Sequence, residues 1–396
     1  CLMGWSDLLK PEIQDFIKTH HESDVRQLAL KGAPDASWPY ALILDQIKVR
    51  QKAKSKALNL CETDGFIFPE TGLFEQASSQ ACAYYKTQIF ESGARFIDLT
   101  AGAGVDSFAA AQHFDDVILI ERDENNAELL AHNASIVAKN ARVLHADAND
   151  YVLDMPQADV VFIDPQRREK GHKGFFAFED CSPNVIDLLE HLPSKTKKLV
   201  VKASPLLDVE QGILNLMYVS QVHLVQWQRE CKEVLFVLDF ERKTEPDKVQ
   251  IIAVDLDDDG NIQKEFTYVL SDEKNANVEC AMPQKYIYEP DPAFQKAGGF
   301  KMMAQQYGVK KLHLNTHLYT AEFCNKDFPG RVLEINDILP VQKKSLKVKK
   351  ADLRVRNFPS TVEALRKKLA LRDGGEHRIY ATTLNDGSKK LIICDK

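Results

Sequence analysis

The sequence predicts an α/β protein built on a mostly parallel sheet, preceded by a helical segment and followed by small α+β units. Two observations carry this. From about residue 95, short β-rich runs (RFIDL, VILIE, ARVLHAD, DVVFIDP, LVVKAS) alternate with helix-periodic stretches such as DENNAELLAHNASIVAK. Alternation of that kind places helices on both faces of a parallel sheet. The first strand candidate also ends in an acid and runs into a glycine-containing turn, FIDLTAGAGVDSF over residues 96–108, where backbone must approach a ligand closely.

At 396 residues the chain is long enough for several domains. With 44% apolar and 28% charged residues, disorder, collagen and coiled coil are disfavoured. No apolar run approaches the roughly 20 residues that span a bilayer, and the amino terminus lacks a basic region followed by an apolar stretch. A soluble, cytoplasmic protein is expected, its start trimmed, since the first residue is Cys. The eight cysteines are scattered singly, with no CxxC and no Cys/His cluster at zinc spacing. That pattern predicts no metal site and suits a reducing compartment. The net charge is -7, yet residues 341–370 hold ten Lys/Arg against two acids, Asp352 and Glu363. An acidic protein with one basic segment does not coat nucleic acid indiscriminately but can grip it locally.

In order along the chain, residues 6–31 and 40–58 carry apolar residues at three- and four-residue intervals, with the breakers of GAPDASWPY between them; they predict a helical domain over 1–60. The α/β core is expected over 61–272. Its last two strands, VHLVQWQ and VLFVLDF, are separated by a short RECKE connector, too short for a crossover helix, so they pair antiparallel. Residues 249–270 form two β-rich runs around DDDGN, a hairpin signal. Mixed elements follow over 280–325. A carboxy-terminal α/β unit over 326–396 has strands near VLEINDIL, DLRVRNF, RIYATTL and KKLIICD, and FPSTVEALRKKLALRDGG supplies a Ser360 cap, a helix and a glycine stop.

The chemistry concentrates at the strand ends. Gly102 and Gly104 remove side chains where a cofactor would lie, with Thr100 in the same turn, and Asp98 is placed to accept from an amino group. The second strand ends in Glu121, 17 residues after Gly104, where a carboxylate accepts from both ribose hydroxyls of a nucleoside. That fits NAD or S-adenosylmethionine. Asp147 after the third strand could accept from an adenine amino group, and the fourth ends at Asp164. Acids at four successive strand ends favour the methyl donor, and Ser107 stands where a dehydrogenase fingerprint would carry its third glycine.

Asp164-Pro165-Gln166-Arg167-Arg168 occupies the place of the Asp/Asn-Pro-Pro-aromatic motif of enzymes that methylate amino groups. Asp164 can orient a nucleophilic nitrogen. Arg167 replaces the stacking aromatic, a part left to Phe175 or Phe176, and Arg167 and Arg168 either hold an anion bidentately or bridge to local acids. Lys202, closing the fifth strand, binds substrate anion, tunes an acceptor or neutralises Asp164. Gln76, Ser78 and Ser79 are expected on a helix that lids the cofactor. Cys181 lies too far from the motif for a cysteine-nucleophile route.

FIDLTAGAGVDSF, FIDPQRR, VVKASP and RECKEV, preceded by QIKVRQKAKSK and FEQASSQACAYYK, resemble the class I S-adenosylmethionine-dependent methyltransferases with a THUMP-like tail. YIYEPDPAFQKAGGFKMMAQQYGVKKLHLNTHLYT resembles that family's ferredoxin-like domain, and GRVLEINDILP through RIYATTLNDG its THUMP-like domain. The resemblance implies a Rossmann-like core, cofactor contacts at Asp98, Gly102, Gly104, Glu121 and Asp147, and the acceptor at Asp164. THUMP domains accompany RNA-modifying enzymes, so the leading expectation is methylation of a base nitrogen of structured RNA, docked through Lys343–Lys368. A protein or small-metabolite acceptor, and a non-catalytic RNA-binding scaffold, are the alternatives.

Overall fold

The computed structural model describes residues 4–167 and 178–396, Arg167 by its backbone alone. The chain forms two compact units, one of residues 1–220, 233–244 and 256–262, the other of 221–232, 245–255 and 263–396.

The first unit is organised by five parallel strands: β1 (Gly93–Asp98), β2 (Phe114–Glu121), β3 (Ala141–His145), β4 (Ala158–Ile163) and β5 (Thr196–Ala203). Their order is β3-β2-β1-β4-β5, with parallel registers such as Asp98 beside Leu119 and Phe162. The middle of each central strand is apolar on both faces, as in Phe96–Ile97, Val117–Ile120, Val160–Ile163 and Leu199–Val201, all buried. Helices cover both faces, so no polar side of the sheet faces water. After β6 (Val219–Trp227), β7 (Glu230–Asp239) pairs antiparallel with β5, Lys202 opposite Leu235. The antiparallel closing strand is therefore present. RECKE is not a loop, however, because β7 starts at Glu230 and the turn is Gln228–Arg229, both at positive φ. Its charges disguise a strand whose Glu233 points inward to a buried lysine.

The amino-terminal helices α1 (Pro11–Thr19), α2 (Val25–Lys31), α3 (Tyr40–Ala53) and α4 (Leu58–Glu62) share a core with the sheet unit: Ile13, Ile17, Leu28, Ile43 and Ile47 pack with Ile67 and Leu129. Polar clamps reinforce it. The Gln46 amide donates to Phe68 O at 2.7 Å and accepts from Phe68 N at 3.1 Å, and Asn133 holds Ile67 in the same two-bonded way. Each buried amide thereby replaces a missing ladder partner for an otherwise unpaired extended segment.

α5 (Thr71–Gln76) and α6 (Gln80–Phe90) are two helices where one was expected. Ser79 caps α6, its hydroxyl accepting from Cys82 N; Ser78 lies in the break, buried, and Gln76 is exposed. The helices after β2 and β3 start on acidic caps. Asp123 opens α8 (Glu124–Val137), which follows α7 (Val105–Ala110), and Asp147 opens α9 (Ala148–Asp154). Such caps satisfy amide donors that the first turn leaves free.

The DDDGN turn forms as expected, Asp257 Oδ1 accepting from Asp259 N and Asn261 N at 3.0 and 2.8 Å. It joins β8 (Gln250–Leu256) to β9 (Ile262–Val269). Gly260 sits at φ +83°, and a Cβ there would lie 2.7 Å from Ala81 O on α6. Gly260→Ala is expected to cost about 1–3 kcal/mol in urea unfolding; an unchanged midpoint would show that the turn can lift off the helix.

Most of the second unit is a seven-stranded sheet of β10 (Tyr286–Pro290), β11 (Lys310–His313), β12 (Thr316–Ala321), β13 (Gly330–Pro340), β14 (Lys350–Arg356), β15 (Arg372–Thr383) and β16 (Lys389–Asp395). Its order is β11-β12-β10-β13-β16-β15-β14. Ile287, Leu312 and Leu318 share a core with Tyr380, Ile392 and Cys394, so the sheet is continuous from residue 286 to the carboxy terminus. Two details differ from expectation. The helix Val362–Leu369 is capped by Thr361, not Ser360, and stops at Ala370 in the left-handed region, whereas Gly374 and Gly375 lie inside β15. No helix among the described residues is long and apolar enough to cross a membrane.

Candidate active site

Parallel strands leave their carboxyl ends and the following turns together at one edge of the sheet, and it is there that open α/β sheets take ligands. Asp98 closes β1 and is 1% exposed. Its carboxylate accepts from Thr100 N at 2.8 Å and from the Ser107 hydroxyl. Burial, with Asp106 and Asp164 nearby, outweighs those two donors and pushes its pKa up to about 7. A buried carboxylate with no ion-pair partner among the described residues suits an incoming ammonium.

The glycine turn has the backbone that the sequence called for. Gly102 and Gly104 stand at φ +52° and +79°. Nothing lies within 3.8 Å of a Cβ built on Gly102, so that side of the turn is open, while one on Gly104 would meet Phe108 and Leu130 at 2.5 and 2.6 Å. The first glycine therefore leaves room for a ligand and the second lets α7 pack. Glu121 closes β2, and its two oxygens accept from Gly102 N at 3.1 Å and Asp123 N at 2.9 Å. That fixes the carboxylate beside the turn with lone pairs to spare for hydroxyl donors.

Thr100 ties the turn to the next strand end, its hydroxyl accepting from Asp164 N at 2.7 Å. Asp147 is two residues past the end of β3, exposed, and its Oδ1 accepts from Asn149 N and Nδ2. It serves first as a helix cap. The Arg167 side chain, Arg168, Phe175 and Phe176 lie outside the described residues.

Lys202 resolves into one arrangement: Nζ donates to Asp164 Oδ2 at 2.6 Å and to Ser78 Oγ at 3.1 Å. Burial opposes its charge, but Asp164, Asp106 and Glu233 outweigh that and hold its pKa above the usual lysine value. Sequence reasoning missed what lies beneath. Lys86, 0% exposed, reaches Glu233 Oε1 at 2.5 Å, Asp106 Oδ1 at 3.1 Å and Ser78 Oγ at 3.2 Å. Burial raises the cost of ionising Asp106, yet Lys86 and Lys202 more than offset it and keep its carboxyl below the usual range. The only sequence signal for this cluster was that its members sit in the quoted motifs, one or two to each.

The residues present fit S-adenosylmethionine: an open glycine turn, a carboxylate at the end of β2 for ribose, and a buried, under-compensated carboxylate at the end of β1 for the methionine ammonium. Residues 70–174 match the family model described as conserved hypothetical protein 95, residues 286–329 a ferredoxin-like domain, and residues 330–396 a THUMP domain-like model. No curated protein matches the sequence. Among solved structures, the crystal structure of a "putative methyltransferase" from Porphyromonas gingivalis W83 is similar over 100% of both chains, at 28% identity and a TM-score of 0.87. The T. thermophilus 16S rRNA N2 G1207 methyltransferase, solved with AdoMet and guanosine, aligns with 41% of this chain and 43% of its own, at 13% identity and a TM-score of 0.33. M. capricolum TrmK, solved with S-adenosyl-homocysteine, aligns with 43% of this chain and 71% of its own, at 8% identity and the same score. These last two are partial likenesses. With the three family models in chain order and a structural match over the full length, the chain is a methyltransferase similar to those that carry a ferredoxin-like domain and a C-terminal THUMP-like domain.

Proposed function

We propose that this methyltransferase acts on a base nitrogen of structured RNA, with Asp164 orienting the acceptor and the carboxy-terminal lysines holding the RNA backbone. S-adenosylmethionine supplies an electrophilic methyl on a sulfonium, so the protein's work is binding, alignment and exclusion of water. Asp98 would take the ammonium, Glu121 the ribose, Asp147 the adenine edge through the oxygen its cap leaves free, and Gly102 would give the backbone close approach. The observation that carries the acceptor assignment is the Lys202–Asp164 contact. With Oδ2 bound at 2.6 Å, the second oxygen, to which no described residue donates, is left to accept from an amino or imino N–H. Asp164 is the carboxylate of its cluster that reaches solvent, 35% exposed.

Support for the RNA comes from how the basic segment divides. Arg354, Arg356 and Arg366 are engaged by Asp352, Glu289 and Asp373. Lys343, Lys344, Lys347, Lys349, Lys350, Lys367 and Lys368 are exposed and make no ion pair among the described residues. Flexible, unpaired ammonium groups are what displace counterions from a phosphate backbone.

Lys343→Glu/Lys344→Glu/Lys347→Glu is expected to weaken binding of a transfer-RNA pool and to make the slope of log affinity against log salt shallower by about 3. Wild-type affinity and slope in that variant would remove the tail from RNA docking. Nucleoside mass spectrometry of RNA from cells with and without the protein tests the acceptor itself. No missing methylated nucleoside would turn attention to a protein or small-metabolite acceptor.

A further inference from the structure

The buried charges behind Asp164 form a continuous series rather than separate pairs. Lys86 is on α6, Asp106 on α7, Glu233 on β7 and Lys202 on β5, with Ser78 in the break between α5 and α6 at their centre. The Ser78 hydroxyl lies 2.8 Å from Asp106 Oδ2 and 3.3 Å from Glu233 Oε2, and it accepts from Lys86 Nζ and Lys202 Nζ. Having one proton, it donates to the nearer carboxylate, and both ammonium groups orient on its lone pairs.

We propose that Lys86 and Glu233, though buried behind Asp164, are positioning residues for the acceptor site. They fix Ser78 and Asp106, these fix Lys202, and Lys202 fixes the Asp164 carboxylate. The inference rests on the reading of Asp164 as the acceptor-facing group and adds the residues that hold it. A stability role alone explains the cluster poorly. Two buried ammonium groups and two buried carboxylates carry a desolvation penalty that an apolar set of equal volume avoids. An apolar set could not hold a charged side chain rigidly at the solvent-facing end of the series. Ser78, Lys86, Asp106 and Glu233 are each exposed by less than 9%, the Lys202 side chain by 11%, and the series surfaces at Asp164.

The test uses Glu233→Gln, which keeps shape and removes charge, and Ser78→Ala should the first fail to fold. Amine acetylation followed by mass spectrometry reads how tightly Lys202 is held, with exposed Lys197 as the internal standard. Methyl transfer from tritiated S-adenosylmethionine into total RNA gives kcat and KM, and calorimetry gives the affinity for S-adenosylhomocysteine. The expected result is Lys202 labelled about tenfold faster, the scale of one charge-assisted hydrogen bond lost, together with a lower kcat and unchanged KM and S-adenosylhomocysteine affinity. A folded variant with wild-type Lys202 labelling and kcat overturns the proposal. So does a loss confined to KM, which would place the effect at the cofactor. If wild-type protein binds S-adenosylhomocysteine but methylates no RNA, the RNA reading fails by itself, and the labelling comparison still decides whether the series holds Lys202.

Discussion

Asp98→Asn is expected to weaken S-adenosylhomocysteine binding about 100-fold, the scale of a buried charge-assisted hydrogen bond, and to remove the pH dependence of that binding. The sign follows from the site. Asp98 titrates at about 7 because burial and two neighbouring carboxylates disfavour its charge, and only the ionised form attracts an ammonium. In wild-type protein the affinity should therefore rise with pH, by up to about tenfold per unit below 7, and level off above it. Below pH 7 binding should release a proton, visible as a dependence of calorimetric heat on buffer ionisation enthalpy. A wild-type profile that is flat between pH 6 and 8 would show that Asp98 is not the ammonium's partner. The same group sets a stability term of defined sign. Its folded pKa lies above the unfolded value, so its contribution is fully present below about 4 and is lost as pH rises through about 7. Asn at this position should flatten that fall.

Lys86→Met should be the most destabilising single change in the sheet unit, by about 3–5 kcal/mol in urea unfolding, because it leaves Glu233 and Asp106 buried with Lys202 alone for compensation. Burial works against the Lys86 charge, but Asp106 and Glu233 outweigh it and raise its pKa above the usual value. Its contribution is thus complete at neutral pH and declines as pH climbs through that raised value. Lys86→Met/Glu233→Met should recover part of the loss, since removing both partners costs less than stranding one. If the double variant is as unstable as the sum of the singles, the two side chains are not coupled.

The turn at the end of β1 was legible because its determinants are local. Asp98, Gly102 and Gly104 fall within seven residues, and a strand, a positive-φ turn and a helix leave few alternatives for where they point. Glu121 was placed by the regular length of one helix and one strand. Lys202 was flagged with three roles, and the structure adds its contact with Asp164, 38 positions away. Helix ends were read less well: Ser360 and Thr361 are chemically equivalent caps, and only the structure shows that the Thr361 hydroxyl accepts from Ala364 N while the Ser360 hydroxyl donates to Thr361 O.

Alone, the sequence determined the α/β alternation, the acids at the strand ends, the glycine turn and the concentration of lysine in one carboxy-terminal segment. These are properties of spacing and composition, and short-range geometry converts them into structure. The tertiary structure decided that Ser78, Lys86, Asp106, Lys202 and Glu233 meet. Ser78 and Glu233 are 155 positions apart, and Lys86 and Glu233 are 147 apart. No periodicity relates residues at that distance; only the stacking of α6 and α7 against β5 and β7 brings their charges into one low-dielectric space, where each can be tolerated because the others are there.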